Sequence, residues 1–352
     1  MTGFKKRLAS TALATAMTLT ALPVSVFLIS TDAEAGVPNG FAYTQGTRFM
    51  LDGSPFYYAG TNCYYLTFKS QEAVDSVFKD AEAMGLKVIR VWGNLDVGVK
   101  TGTTDSEGKP VFTNNNDGPG EKDGIYFQYF DKDLGKPVIN EGKDGLQKLD
   151  YALYQAEKHG IKLLITFTNY WDAFGGMGQY IKWAQELGIT GLKKDDFYTN
   201  ETLKGWYKDY VNGLLNHTNP YTGRKLKDEP SVFAWELANE PRCNTDAQCK
   251  DNILYNWAKE MSEYVKSVDP NHMVSLGDEG FYNKPYGYYN EYTTSNYAFY
   301  GAEGVDFEKL MTIDTLDFGT PHLYLDQWGM KHTGTGQDDL LWFKIHGETC
   351  AE

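Results

Sequence analysis

The chain has 352 residues, of which 41% are apolar, and this is enough for one large globular domain with a substantial core. Its formal net charge of −14 argues against nucleic acid and anionic membrane surfaces as partners, because both repel an acidic surface. Aromatic residues make up 15% of the chain, and 25 of them are tyrosines. Aromatic rings stack on sugar rings, so the composition suits a carbohydrate ligand, although an aromatic core with solvated tyrosine loops explains most of these residues.

The first 35 residues have the pattern of a secretory signal peptide. A basic start at Lys5 to Arg7 precedes a mostly apolar run from Leu8 to Ile29, and Ala33-Glu34-Ala35 matches a small-x-small cleavage site. We expect a mature chain that begins near Gly36 and is secreted to the extracellular space. The alternative is an uncleaved membrane anchor, because the apolar run is long, but Pro23 and the cleavage pattern favour removal.

From residue 56 onward, short apolar runs alternate with amphipathic runs, which is typical of strand and helix units around a parallel sheet. The predicted strands are 56–62, 88–92, 163–169, 232–238, 273–276 and 315–323. The predicted helices are 72–84, 146–159, 202–215, 253–268 and 338–350, with a short one at 305–311. This order predicts an α/β fold, an incomplete (β/α)₈ TIM barrel with about six of its eight units. One catalytic barrel would then occupy residues 36–352.

The segment 93–145 interrupts this alternation and is rich in Gly, Asn and Asp. We interpret it as an insertion on the second strand-helix loop, where barrel enzymes build a substrate groove. A calcium loop is the sharper alternative, but the required ligand spacing is not met around Asn114 to Gly118. The sequence contains neither a C-x-x-C nor an H-E-x-x-H motif, so we expect no metal and no cofactor.

Two pairs of residues allow more than one interpretation. Cys243 and Cys249 lie in a polar loop, where a secreted chain favours a small disulfide over two free thiols. Asn200 and Asn216 match glycosylation acceptors, but Asn200 suits a helix cap equally well. Cys63 follows a predicted strand and is expected to be buried.

Polar residues lie at the carboxyl ends of five predicted strands. In a TIM barrel these ends face one mouth, so residues distant in sequence would converge there. The residues are Asn62, Arg90 with Trp92, Asn169 with Trp171, Asn239 with Glu240, and His322 with Tyr324.

Glu240 is the best candidate for a catalytic carboxylic acid. It follows an apolar strand, stands beside Asn239 and is followed by Pro241. A retaining glycosidase needs such a group to protonate the leaving oxygen and later to deprotonate water, and Asn239 could bind the sugar 2-hydroxyl. The alternative is an exposed loop glutamate. Glu236 competes with Glu240, but strand alternation places it at another depth, which favours a buried, paired structural carboxylate.

Five motifs in order resemble glycoside hydrolase family 5, and within it the secreted endo-β-1,4-mannanases. They are VIRVWG at 88–93, TNYW at 168–171, WELANEPR at 235–242, GDEGF at 277–281 and HLY at 322–324. The resemblance runs from about residue 41 to the end of the chain. It implies a monomer that hydrolyses β-1,4-mannosidic bonds in mannan, glucomannan or galactomannan with retention of configuration.

The resemblance also implies a role for each matching residue. Arg90 would hold the nucleophile carboxylate, Glu240 would be the acid/base, Asn239 would bind the 2-hydroxyl, and His322 and Tyr324 would orient the reacting pair. A satisfied core histidine is the alternative for His322. The expected substrate-binding residues are Asn62, Trp92, Asn169, Trp171, Arg242, Glu279 and Trp328.

The family's nucleophile, a glutamate at the end of the seventh strand, has no match in this sequence. Glu348 and Glu352 are poor substitutes, because both lie in or beyond a helix expected on the barrel exterior, whereas a retaining pair lies roughly 5–5.5 Å apart. We therefore expect a fragment that stops before the nucleophile, although its full gene product would be active. In the fragment Glu240 would lack the like charge that raises its pKa, Arg90 would lack an anionic partner, and open sheet edges would reduce solubility.

Two other functions stay open. One is a different β-1,4-glycanase of the same fold, such as an endoglucanase. The other is a non-catalytic carbohydrate-binding protein that kept the groove and dispensed with the nucleophile.

Overall fold

The fold was analysed in a computed structural model that describes residues 37–116, 123–244, 249, 252–285, 296–330 and 337–351. The expected signal peptide, 1–35, lies outside the described residues. The strands are β1 (Ala42–Gln45), β2 (Arg48–Leu51), β3 (Ser54–Pro55), β4 (Gly60–Asn62), β5 (Val88–Trp92), β6 (Asp96–Thr104), β7 (Pro110–Thr113), β8 (Gln128–Asp131), β9 (Lys136–Ile139), β10 (Lys162–Thr166), β11 (Val232–Glu236) and β12 (Met273–Ser275). The helices are α1 (Gln71–Ala83), α2 (Gln147–Lys158), α3 (Gly176–Glu186), α4 (Glu201–Asn216), α5 (Ile253–Val268), α6 (Phe307–Leu310) and α7 (Gln337–Thr349).

The central sheet has five strands in the order β4-β5-β10-β11-β12, and each neighbouring pair is parallel. Its strands alternate between two buried environments. Ile89 and Val91 belong to the main core with the helices, whereas Val88 packs with the β1 residue Ala42 in a second core. This is the strand arrangement of a TIM barrel, and in the described part of the chain the barrel is not closed, with β4 and β12 at its edges.

The predicted sixth strand at 315–323 is wrong. The segment runs beside β12, but its regular pairing is limited to one bond from Asp317 N to Val274 O at 2.8 Å. Gly319 and Pro321 interrupt it, and proline has no N–H to donate to a ladder. The segment nevertheless brings His322 to the carboxyl end of the sheet, where its N–H donates to the Glu279 carbonyl at 3.1 Å.

The insertion at 93–145 forms its own sheet, in the order β7-β6-β8-β9. Helix α3, which the sequence patterns did not predict, binds this sheet. Asn114 donates from Nδ2 to Lys182 O at 3.2 Å, and Trp183 donates from Nε1 to Val97 O at 2.9 Å. The Asn-rich run that was weighed as a calcium loop thus uses Asn114 to attach the insertion to a helix, and residues 117 and 118 lie outside the described part.

Cys243 and Cys249 form a disulfide, as the sequence predicted, and Cys63 is buried. Asn200 caps α4, since its side chain accepts from Thr202 N at 3.0 Å and from Leu203 N at 3.3 Å. None of the helices within the described ranges is long and apolar enough to cross a membrane.

Replacing the helix cap in Asn200→Ala leaves two backbone N–H groups of α4 without their acceptor, so it should lower the free energy of unfolding by about 1 kcal/mol. Urea unfolding measures this value. The matched control is Asn212→Ala, an exposed mid-helix asparagine of α4 that should stay within about 0.5 kcal/mol of wild type. Equal values for the two variants would contradict the assignment of Asn200 as a cap.

Candidate active site

Glu240 stands on a tight turn after β11. Leu237 and Ala238 continue the buried strand path, and Glu240 then adopts a φ of 48°, which is uncommon for a residue other than glycine. Its backbone N–H donates to Gly277 O at 2.8 Å. Gly277 is required here, because a Cβ at this position would lie 2.1 Å from Ala238 O. The turn therefore depends on close contact between the ends of β11 and β12, and strained turns of this kind are common at functional sites.

The Glu240 carboxylate is buried and held by donors from two loops. Trp171 donates from Nε1 to Oε2 at 2.6 Å, and Nδ1 of His322 lies 2.7 Å from Oε1. Burial by itself raises the pKa of Glu240, but the hydrogen bond and charge of His322, together with hydrogen bonds from Trp171 and Tyr324, lower the pKa from 4.5 to about 2. Glu240 is accordingly an ionised carboxylate at neutral pH.

A chain of hydrogen bonds crosses the barrel interior beneath Glu240. Arg90 donates from Nε to Glu236 Oε2 at 2.7 Å and from Nη2 to Asn239 Oδ1 at 2.9 Å. Thr166 donates from Oγ1 to the same Glu236 oxygen at 2.6 Å. Asn239 in turn donates from Nδ2 to Asn169 Oδ1 at 2.9 Å. The expectation that Arg90 has no anionic partner is wrong, because the fully buried Glu236 is that partner, and Glu236 is the paired carboxylate that the strand alternation favoured.

A second charged cluster lies beside Glu240. Arg242 binds Glu279 through two parallel hydrogen bonds of 2.7 and 2.6 Å, and it also reaches Glu303 at 3.1 Å. Its guanidinium lies 5.0 Å from the ring centre of Trp171. Burial raises the pKa of Glu279, and the charge of Glu240 adds to this effect while Arg242 opposes it. The two carboxylates therefore act on each other electrostatically.

The remaining predicted residues differ in exposure. Trp171 and Tyr324 are 40% and 42% exposed, so part of each ring is open to a ligand. Burial and the charge of Glu240 raise the pKa of Tyr324 to about 12, so its hydroxyl keeps its proton. Trp92 is half-buried, and the centre of its ring lies 5.7 Å from the guanidinium carbon of Arg90. Asn62 is exposed on the edge strand β4 and takes no part in the hydrogen bonds described above.

Trp328 does not present a ring to the groove. It is 6% exposed, because three aromatic rings pack against it. The ring centre of Phe281 lies 5.0 Å from that of Trp328, and the ring centres of Trp342 and Tyr324 each lie 5.4 Å from it. Its place is beneath Tyr324, which it supports. In the described part of the chain Trp328 is thus a packing residue, and its assignment to substrate binding stays a prediction.

Thr166, Glu303 and Tyr297 of the site were not singled out from the sequence, and Phe281 appeared there only as part of the motif at 277–281. Thr166 is a strand residue without a motif, and Glu303 belongs to a loop distant from the rest. Phe281 and Tyr297 flank Arg242 at 5.0 and 5.9 Å, although the tyrosine-rich loop near Tyr297 was interpreted as solvated. The one available signal was the density of aromatic residues in that loop.

Among the described residues, one group of side chains has the proximity of a metal site, and it consists of Asp195, Cys243 and Cys249. The two cysteines are joined in the disulfide, so their sulfur atoms are not thiolate ligands. The site around Glu240 offers carboxylates, a histidine, amides and aromatic rings. These groups suit proton transfer and the binding of a hydroxylated, ring-shaped ligand.

Comparison with known proteins agrees with this site. A model of the family described as GH family 5 beta-mannosidase-like matches residues 39–342. The chain belongs to glycoside hydrolase family 5. It is 40% identical over 311 residues to the probable mannan endo-1,4-beta-mannosidase F of Aspergillus oryzae, covering 88% of this chain and 58% of that protein. It is 38% identical to the mannan endo-1,4-beta-mannosidase A of Emericella nidulans, and the match covers 88% of this chain and 67% of that protein. The chain thus spans less than two thirds of the first of these relatives.

Solved structures give the same family. The endo-1,4-beta-mannanase from Rhizomucor miehei superposes with a TM-score of 0.74 at 37% identity, covering 88% of this chain and 78% of that one. The endo-beta-1,4-mannanase from Thermotoga petrophila superposes with a TM-score of 0.70 at 39% identity, and the match covers 85% of this chain and 59% of that one. The TIM-barrel fold expected from the sequence is thereby confirmed for this family 5 chain.

The lowered pKa of Glu240 predicts a dependence of stability on pH. Since the folded pKa of about 2 lies below the ordinary 4.5, ionised Glu240 stabilises the fold above pH 4.5, and this contribution is lost as the pH falls toward 2. Wild type should therefore lose as much as about 2 kcal/mol more than Glu240→Gln between pH 6 and 2.5. Urea unfolding at both pH values measures the difference. Glu348→Gln, at an exposed position, should behave as wild type, and an equal loss in all three proteins would contradict the assignment.

Proposed function

We propose that this protein is a secreted endo-β-1,4-mannanase, which cleaves internal β-1,4-mannosidic bonds of mannan, glucomannan or galactomannan with retention of configuration. The main support is the geometry at Glu240, a buried carboxylate held by Trp171 and His322 above the amide of Asn239. The names of the two family 5 relatives, both mannan endo-1,4-beta-mannosidases, give independent support. The proposal includes cleavage of the signal peptide near Gly36 and a monomeric enzyme.

In the proposed mechanism Glu240 first protonates the leaving oxygen and then removes a proton from water. His322 and Tyr324 bind its carboxylate and orient it. Asn239 binds the sugar 2-hydroxyl, a contact that strengthens as positive charge develops on the sugar ring. Trp171 offers its exposed ring face to a neighbouring sugar, and Arg242 and Glu279 supply hydrogen bonds at the groove.

The protonation step needs a second carboxylate. With a pKa of about 2, Glu240 is ionised at neutral pH and has no proton to donate. A like charge placed nearby raises a carboxyl pKa, so a nucleophile carboxylate would both attack the sugar and give Glu240 its proton. In the described part of the chain Arg90 contacts Glu236 rather than a carboxylate open to a substrate. Of the two described carboxylates nearest this group, Glu236 is bound by Arg90 and Glu279 by Arg242, so the proposal places the nucleophile carboxylate outside the described residues.

The activity test uses the protein as its own gene encodes it. It should release reducing sugars from glucomannan and galactomannan, and proton NMR of the first products should show the β anomer. Glu240→Gln should lower the rate roughly 10²- to 10⁴-fold, because the proton donor is lost. Glu201→Gln, an exposed glutamate at the start of α4, should retain the wild-type rate.

A faster release of sugars from carboxymethylcellulose than from glucomannan would overturn the assignment in favour of an endoglucanase. First products in the α form would contradict retention. Wild-type activity in Glu240→Gln would contradict the acid/base role of Glu240 but not the proposed activity.

Residues 36–352 should bind mannohexaose but should not hydrolyse it, because Glu240 is ionised at neutral pH and the nearby Glu236 and Glu279 are each bound by an arginine. Isothermal titration calorimetry measures the binding, and prolonged incubation followed by chromatography measures hydrolysis. Trp171→Ala is the control that should weaken binding. Release of shorter oligosaccharides would contradict this prediction. If the gene product also binds without hydrolysis, the non-catalytic carbohydrate-binding function replaces the proposed one.

A further inference from the structure

The buried carboxylate of Glu236 does more than fill the barrel interior. Its side chain is 0% exposed, and its Oε2 accepts from both Arg90 and Thr166. Its Oε1 is also buried and has no hydrogen-bond partner among the described residues. An ion pair in this setting is a poor source of stability, because the cost of removing two charges from water offsets much of their attraction. The ion pair between Glu236 and Arg90 matters more for the position of the Arg90 guanidinium, which also contacts Asn239.

Strand register explains how Glu236 reaches its partners. In the central sheet Thr166 lies beside Glu236 and beside Trp92, and Arg90 is two residues before Trp92 on the same strand face. The three side chains therefore enter the barrel interior from β5, β10 and β11. Because these strands pair with one another in the sheet, the backbone positions from which Glu236, Thr166 and Arg90 meet are held in place.

Arginine only donates hydrogen bonds, and this determines the orientation of the Asn239 amide. Arg90 Nη2 must meet the oxygen of that amide, at 2.9 Å, so the amide nitrogen points the other way. One N–H of this nitrogen donates to Asn169 Oδ1 at 2.9 Å. Asn169 Oδ1 is itself oriented, because the Asn169 Nδ2 donates to Ala173 O at 2.9 Å. Among the described residues no acceptor contacts the second N–H of Asn239, so this N–H is available to a ligand.

We infer that Glu236 is a positioning residue, which holds Arg90 so that the Asn239 amide presents its N–H to the 2-hydroxyl of the reacting sugar. This inference rests on the proposed function. It assigns to Glu236 a role in substrate recognition that it performs without touching the substrate. Thr166 has a smaller part in the same role, since it supplies the second donor to Glu236 Oε2.

The test compares two buried glutamates in the protein as its gene encodes it. Glu236→Gln removes the charge that holds Arg90. Glu229→Gln is the matched control, because Glu229 is also 0% exposed and also accepts from an arginine Nε, that of Arg224, at 2.8 Å, but in a loop before β11. Thermal unfolding of both variants shows the cost to stability, and an aryl β-mannobioside measures kcat and KM.

Glu236→Gln should lower kcat/KM roughly 100-fold, whereas Glu229→Gln should retain the wild-type value at a similar loss of Tm. The decisive substrate is the analogue in which hydrogen replaces the 2-hydroxyl of the reacting sugar. On this analogue the gap between wild type and Glu236→Gln should shrink to less than about threefold, because the contact that Glu236 supports is already absent. Thr166→Val should show the same dependence with a smaller effect, and it serves if Glu236→Gln does not fold.

A 100-fold loss that persists on the analogue, or equal kinetics for Glu236→Gln and Glu229→Gln, would overturn the inference. These outcomes differ from failure of the proposed function, in which the wild-type protein hydrolyses neither substrate. In that case the same variants are compared by their affinity for mannohexaose. Equal affinities of Glu236→Gln and Glu229→Gln would then overturn the inference.

Discussion

The candidate site depends on one partly buried guanidinium, that of Arg90. Arg90 lies inside the barrel, where an unpaired positive charge would be very costly, so its donors must meet acceptors. The acceptors are Glu236 on β11 and Asn239 three residues beyond it. Because Asn239 and Glu240 are adjacent, the bond from Arg90 to the Asn239 side chain lies directly beside the turn that carries the acid/base candidate.

Around this centre the groove combines two opposite electrostatic environments. Glu240 meets donors from Trp171, His322 and Tyr324, which together outweigh the cost of its burial and lower its pKa to about 2. Glu279, a short distance away along the groove, has a raised pKa despite the two hydrogen bonds from Arg242. A groove with this balance favours an anionic Glu240. Catalysis by a general acid would require that balance to be reversed by a further negative charge.

Local patterns in the sequence predicted much of the architecture, because strands buried on both faces and amphipathic helices leave regular signals. Helix α5 has the predicted bounds, and β5 has them too. The prediction of a strand at 315–323 was wrong, because the same apolar pattern occurs in a buried extended segment whose backbone does not pair with a neighbouring strand. Helix α3 was missed because its partner, the insertion sheet, is recognised only after the chain has folded. Trp328 matched a groove position by motif, but its exposure depends on Phe281 and Trp342, which no motif around Trp328 reveals.

The sequence alone was sufficient to single out the Asn239-Glu240 pair, the family and the polar residues at the strand ends, because each is a feature of residues close together in the chain. Only the tertiary structure decided which of these residues touch. It paired Arg90 with Glu236, brought His322 to Glu240 across 82 positions, and buried Trp328 beneath Tyr324. The physical reason is that hydrogen bonds and burial depend on distances in space. In a barrel, those distances are determined by strand register and close packing between segments far apart in sequence.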